Sequence, residues 1–346
     1  MWRGDKSLRH TGLAPTGLRH SPQNLGTRLM ATYPLSAQML AFVEKTVSFN
    51  STDSSLAGMR QAYSEMCRAF TPPRPAELYV VDFELAGVPV RSYQPPVSPS
   101  TGGSPCIVYL HGGGWVVGDL DSHDFICAEL ASTLGVLVIA VDYRLAPEHP
   151  FPAGFDDCLK VWRALRSGPF QLDPARTLVA GDSAGGNLAA ALCLALRDAG
   201  EPLPAAQVLI YPGLGGDQRL ASRSECVDAP LLSSSDVDCY HALYLRGSRQ
   251  PGAYAMPLLA EDLGGLPPAL IAVAQFDPLR DDGVHYAERL NVAGVAATLY
   301  YGEGLVHGCL RGRGQVAEVD ALYETLLGYL AEKTGGKTLT QQGHAH

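Results

Sequence analysis

Val179-Ala180-Gly181-Asp182-Ser183-Ala184-Gly185-Gly186-Asn187 is the stretch on which the reading turns. An apolar run, Leu178 to Ala180, leads into it, and a second, Leu188 to Leu196, leaves it. Strand, Gly-x-Ser-x-Gly, helix is the setting in which a serine becomes a nucleophile. The turn is sharp, so only residues with little side chain fit beside Ser183, and Gly181 and Gly185 supply that room. The serine hydroxyl then stands at the sheet's carboxyl edge, over a helix N-terminus that favours negative charge. Gly-x-Ser-x-Gly alone is a moderate signal, because it also occurs in ordinary loops. The rest of the chain decides.

Upstream, Cys106-Ile107-Val108-Tyr109-Leu110 is a continuous apolar run, as expected of a strand buried on both faces. It enters His111-Gly112-Gly113-Gly114-Trp115. Three glycines leave backbone amides uncovered, so this loop can bring N–H groups up to a developing negative charge. Val136 to Val141 is a further strand, followed by Asp142 to Pro152, stiffened by Pro147, Pro150 and Pro152. The charges of that loop read as structural, with His149 a loop histidine and not a base. Before it, Asp121 or Ser122 is positioned to cap a helix that stops at Gly135.

Downstream, strands are expected at Val208 to Tyr211, Leu270 to Ala274 and Ala297 to Tyr301, with helices between them. Such alternation predicts a mostly parallel central sheet flanked by helices on both faces. A hairpin over Tyr79 to Phe83 and Val88 to Tyr93 turns at Ala86-Gly87. The pattern loosens from Gly213 to about Tyr254, with helical fragments at Ala229 to Leu232 and Val237 to Leu245, as in an insertion after a strand. Two short amphipathic helices are expected within 35–70. Residues 1–30 lack periodicity and read as a disordered extension, with Met30-Ala31-Thr32 a plausible start of its own. The tail from 335 is polar and flexible in the same sense.

A serine hydroxyl needs a base, and the base needs a carboxylate to hold its tautomer. In enzymes with this elbow the order is serine, acid, histidine, each on a loop after a strand. Ser183, Asp277 and His307 satisfy it. His10, His20, His344 and His346 lie in the tails, His241 in the insertion, His285 on a helix, and His123 upstream of the elbow. Asp281 and Asp282 compete with Asp277, but they fall in the first turn of the next helix, where carboxylates favour the dipole.

The 346 residues are 46% hydrophobic, enough for one large α/β domain, and the formal net charge is −9. No Lys/Arg run exists, so nucleic acid is not an expected partner. The longest uninterrupted apolar run, Leu188 to Leu196, is far short of the ~20 residues of a membrane span, and the N-terminus lacks a secretory core. Eight scattered cysteines have no C-x-x-C and no metal-ligand spacing. Reduced, mostly buried thiols in a cytoplasmic protein follow, with no metal.

Taken together, His111 to Trp115, Tyr143-Arg144-Leu145-Ala146-Pro147-Glu148-His149-Pro150, Gly181 to Gly186 and Asp277-Pro278-Leu279-Arg280-Asp281 resemble the bacterial hormone-sensitive-lipase-like esterases of the α/β-hydrolase superfamily. The resemblance spans about 35–332. It implies an α/β-hydrolase fold, with a core of 76–213 and 255–334 and a helical cap built from 31–75 and 214–254. It also implies cofactor-free hydrolysis of small carboxylic esters, of short to medium chain, through an acyl-enzyme. Ser183 would be the nucleophile, His307 the base and Asp277 the orienting acid. The amides of Gly113, Gly114 and Ala184 would form the oxyanion hole. Trp115, Asp182 and Cys309 are pocket candidates, and Cys309 departs from the aromatic residue the family often has after His-Gly. The rival readings are an amide or carbamate hydrolase with the same triad, and a non-catalytic small-molecule receptor. A homodimer is left open.

Overall fold

A computed structural model describes residues 33–96, 103–168, 170–246 and 251–337. The extension expected over 1–30 and the tail beyond 337 lie outside them. The expected hairpin forms from β1 (Tyr79–Leu85) and β2 (Val88–Gln94), and Ala86 and Gly87 both take positive φ at its turn. The sheet continues with β3 (Ser104–Leu110), β4 (Leu137–Val141), β5 (Leu172–Asp182), β6 (Gln207–Ile210), β7 (Ala269–Phe276) and β8 (Ala297–Val306). All eight strands lie in one sheet in the order β1-β2-β4-β3-β5-β6-β7-β8. Only β2 runs against its neighbours.

The central strands are apolar throughout because both faces are covered. Ile107 and Tyr109 of β3, Val138 and Ala140 of β4, and Leu178 and Ala180 of β5 enter one core. Their alternating neighbours Cys106, Val108, Leu110, Ile139 and Val179 enter the other. The first core is closed by α3 (Asp124–Leu134) and α9 (Ala317–Thr334). The second is closed by α4 (Ala153–Leu165), α5 (Ala184–Asp198) and α8 (Arg280–Val292). Every residue of α5 from Ala184 to Leu196 is buried, which explains why its run carries no polar stripe.

Two of the sequence expectations need correction. Neither Asp121 nor Ser122 caps α3: the flanking residue is His123, which makes no side-chain cap bond. The Ser122 hydroxyl is taken up instead by Asp119 O and His123 Nδ1. In the insertion, the helices are α6 (Ala221–Glu225) and α7 (Ser234–Tyr244), and Ala229 to Leu232 is not helical. The second of these is fixed by a capping box between Ser233 and Asp236. The start of the first is held by tertiary bonds, from Ser222 N to Asp281 and from Ser222 Oγ to Pro278 O.

The two N-terminal helices form as expected, as α1 (Ala37–Val47) and α2 (Leu56–Phe70), each N-capped by a serine, Ser36 and Ser55. Arg60 on α2 ties them to the sheet's carboxyl edge. Its guanidinium donates to both carboxylate oxygens of Glu148 at 2.8 Å and to Ala146 O at 3.2 Å. Its Nε donates to Val116 O at 2.9 Å, beside the glycine loop. The charges of the 142–152 loop are therefore structural: Glu148 holds α2, and Arg144 holds Asp157 on α4. Among the described residues no helix is long and apolar enough to cross a membrane.

Candidate active site

Three strand ends deliver the three side chains. Ser183 follows β5 and precedes α5, Asp277 follows β7, and His307 follows β8. The turn at Ser183 has φ 54° and ψ −116°, a conformation that L side chains rarely adopt. It is held by Ser183 N donating to Ile210 O at 2.8 Å. The surrounding glycines are obligatory: a Cβ on Gly185 would overlap Leu110 O, and one on Gly181 would stand 2.5 Å from Gly185.

His307 Nε2 lies 2.9 Å from Ser183 Oγ, and its Nδ1 lies 2.7 Å from Asp277 Oδ2. Asp277 is fully buried and also accepts from Leu279 N at 2.8 Å. A carboxylate can only accept, so His307 donates from Nδ1 and keeps the Nε2 lone pair for the serine proton. The ring of Tyr211 packs on the imidazole with centroids 4.7 Å apart. Of the competing acids, Asp282 is turned away. It accepts from Leu214 N and Gly216 N and pairs with Arg223 at 2.7 Å. Asp281 pairs with Arg280.

The glycine loop faces the same spot. Gly113, Gly114 and Ala184 share a cavity wall with Ser183 and His307. Gly113 and Gly114 sit at φ 122° and 59°. A Cβ on the first would overlap Val117 O, and one on the second would overlap the Tyr240 ring. Gly112 differs from them: its amide donates to Asp182 Oδ1 at 3.1 Å and approaches His123 Nε2 at 3.3 Å.

Asp182 and His123 therefore form a second buried polar group, behind the loop. Asp182 also accepts from Tyr109 OH at 2.9 Å. Burial alone would push its carboxyl up, but His123, the Tyr109 hydroxyl and the Arg311 charge overcome that and hold it at about 2. Asp182 reaches the cavity wall, as expected of a pocket candidate, yet its carboxylate oxygens are spent on the loop. His123 fails the order rule for a base, and its contact with Asp182 joins residues too far apart in the chain for spacing to reveal. Behind it, burial and the neighbouring His123 push His111 down to about 3, and the ring stacks on Tyr143 with centroids 4.2 Å apart.

The cavity holds about 180 Å³. Trp115, the second pocket candidate, forms part of its wall and stacks on Tyr244 at 4.2 Å. Cys309, the third, does not reach the cavity. It is fully buried in the sheet's first core, and burial pushes its thiol up to about 12. The wall beside His307 is made by Gly308 and Arg311 instead.

With this geometry in place, comparison with known proteins is direct. The family profile described as "alpha/beta hydrolase fold" matches residues 107–311. The chain is 41% identical to Esterase LipI of Mycobacterium tuberculosis over 274 residues, covering 77% of this chain and 85% of that protein. It is 39% identical to the ethyl acetate hydrolase of Pseudomonas putida over 238 residues, covering 67% of this chain and 74% of that one. The crystal structure of an esterase from the bacterial hormone-sensitive lipase family superposes with a TM-score of 0.77 at 30% identity, covering 87% of this chain and 99% of the other. The chain belongs to the α/β-hydrolase-fold family. Within it, the chain is a carboxylic ester hydrolase of the hormone-sensitive-lipase-like group.

Proposed function

We propose that Ser183 is the nucleophile, His307 the general base and Asp277 the orienting acid of a carboxylesterase acting on small esters of short to medium chain. The observation that carries this reading is the unbroken chain from Ser183 Oγ through both imidazole nitrogens to Asp277, at 2.9 and 2.7 Å. As Ser183 Oγ attacks the ester carbonyl, its proton passes to His307 Nε2. The imidazolium charge is offset by Asp277. The carbonyl oxygen becomes an oxyanion, and the amides of Gly113, Gly114 and Ala184 receive it. Each such donor is typically worth about 3 kcal/mol in the transition state. His307 then returns the proton to the leaving alcohol, and water repeats the sequence on the acyl-enzyme.

Chain-length preference belongs, in this reading, to a cap formed by 31–75 and 214–254. Its support is the cavity wall, which draws Met59, Tyr63 and Met66 from the first segment and Leu232, Val237 and Tyr240 from the second. The seven buried free thiols support a reducing cytoplasm as its compartment. A homodimer along the outer strand β8, where Leu299 and Tyr301 are exposed, belongs to the same reading and would show as twice the monomer mass in sedimentation equilibrium.

A p-nitrophenyl ester series from two to twelve carbons tests the substrate range, with a maximum expected among the shorter chains. Labelling by an organophosphonate tests the nucleophile. A label mapped to any residue other than Ser183, or none on active enzyme, overturns the assignment.

A further inference from the structure

Arg311 bears on Asp182 through its charge, but none of the catalytic steps proposed above uses it. It lies in the 3₁₀ turn Cys309–Gly312, just beyond His307, and the residue is only 8% exposed. It lines the cavity. Its Nε has no hydrogen-bond partner, and among the described residues the guanidinium makes no ion pair. The group is close to the reacting centre, since a Cβ on Gly308 would stand 3.1 Å from its Nη2. The face of Tyr63 lies 5.7 Å away. The carboxylate that acts on it is Asp182, whose oxygens already serve Tyr109, Gly112 and His123.

Burying a cation without a hydrogen-bonded partner is unfavourable, and arginine keeps its charge under any ordinary condition. The planar fork is suited to a carboxylate, which it binds through two parallel bonds. Trp115, Leu232, Val237 and Leu279 supply apolar surface to the same cavity, whose lining also includes Asp236 and His241. The cavity thus combines apolar surface with a guanidinium that, among the described residues, has no hydrogen-bonded carboxylate.

We propose that Arg311 is a specificity-determining residue, and that the preferred substrates are small esters bearing a carboxylate remote from the scissile bond. This rests on the ester-hydrolase reading of Ser183 and names its substrate class. The carboxylate can sit on the acyl side, as in a half-ester of a dicarboxylic acid, or on the alcohol side, as in an acylated hydroxy acid. The chemistry at Arg311 is the same in both.

The test compares kcat/KM within two matched pairs: monoethyl glutarate against ethyl hexanoate, and the acetyl ester of γ-hydroxybutyrate against pentyl acetate. In the unaltered enzyme the charged member of at least one pair is turned over as well as or better than its neutral match. In Arg311→Met, the charged-to-neutral ratio for that pair falls by roughly tenfold or more, as when a buried charge loses its partner. Arg311→Lys restores part of it. A drop confined to one pair tells which side of the ester carries the charge. Rejection of both charged substrates by the unaltered enzyme, or a ratio unmoved by Arg311→Met, overturns the proposal and leaves Arg311 a structural counter-charge to Asp182. If Arg311→Met does not fold, inhibition of the unaltered enzyme by glutarate over glutaramide reads the same preference, and equal inhibition overturns it. Failure to hydrolyse even the neutral esters would be a failure of the ester-hydrolase reading itself, and no phosphonate label on Ser183 would mark it.

Discussion

The sheet's carboxyl edge and the helical layer above it are built by different means. At the edge, backbone atoms position almost everything. Ser183 is set by a strained turn held to Ile210 O, Asp277 by an amide two residues on, and the glycine loop by its own φ angles and one side-chain bond, from Gly112 N to Asp182. In the layer above, side chains do the positioning. Arg60 reaches from α2 to Glu148, and Arg223 reaches from α6 to Asp282. Chemistry placed by backbone tolerates little change and is local in the chain. A pocket hung on ion pairs can be re-cut by a few substitutions without disturbing the triad. The comparison predicts that edge variants lose rate without losing the fold, and that variants in the upper layer lose stability or substrate affinity.

The largest effect is expected at Ser183. Ser183→Ala deletes one hydroxyl and leaves the turn's backbone bonds in place, so kcat should fall by roughly 10⁴- to 10⁶-fold with the melting temperature nearly unchanged. A folded Ser183→Ala enzyme with more than about a hundredth of the original rate would break the comparison at its strongest point.

Arg223→Met comes next. The pair with Asp282 is buried on both sides, and burial raises the Asp282 pKa despite the opposing pull of Arg223 and the amides of Gly216 and Leu214. Removing the cation leaves that carboxylate uncompensated, at about 3–5 kcal/mol. Denaturant unfolding should show the loss, and Arg223→Met/Asp282→Asn should recover much of it. A single variant as stable as the parent would mean that the insertion is not anchored here.

What could be read from the sequence follows the same division. The strand ends of the edge were legible because each is contiguous with the residues it delivers: β3 runs into the glycine loop, β5 into Ser183, β7 into Asp277 and β8 into His307. Doubly covered strands announce themselves as unbroken apolar runs. The capping of α3 was misread because Ser122 is engaged by Asp119 and His123, a choice made by folding and not by local pattern. Helix α6 escaped notice because its start is fixed by Pro278 and Asp281, more than fifty residues downstream. His123, set aside as out of order, belongs to Asp182. Arg311 sits in a run of glycines and arginines that carries no local signal of burial, and its neighbours Tyr63, Cys67, Tyr211 and Asp182 come from distant parts of the chain.

Asp142, at the end of β4, sharpens the contrast from the edge side. Its backbone is fixed to Pro89 O, but its carboxyl carries a charge the site does not use. Burial, aided by Asp119, Asp121 and Asp82 and opposed by Arg91, raises its pKa to about 6. Unfolded, an aspartate titrates near ~3.9, so the native state holds this proton more tightly. The group's contribution to stability is therefore fully present below about pH 4 and is lost as pH rises through 6. Asp142→Asn should gain about 1–2 kcal/mol at pH 8, the full linkage being halved for partial exposure, and nothing at pH 4. Equal gains at both values would show that the effect is not electrostatic.

Arg60→Ala is the smallest expected change in stability and the most informative about the upper layer. Its partner Glu148 is half exposed, at 49%, and Arg60 itself is 32% exposed, so the ion pair is worth ~1 kcal/mol or less. The same guanidinium, however, donates to Val116 O and Ala146 O, the first of them three residues after the glycine loop's Gly113. Loosening it frees α2, and with it Tyr63 and Met66 on the cavity wall, without touching the triad. KM should therefore rise severalfold while kcat holds, and salt should narrow the difference from the parent, because a screened pair in the parent already resembles the missing one. If kcat fell and KM held, Arg60 would be acting on the glycine loop through Val116. The line between backbone-set chemistry and side-chain-set pocket would then run through α2 and not beneath it.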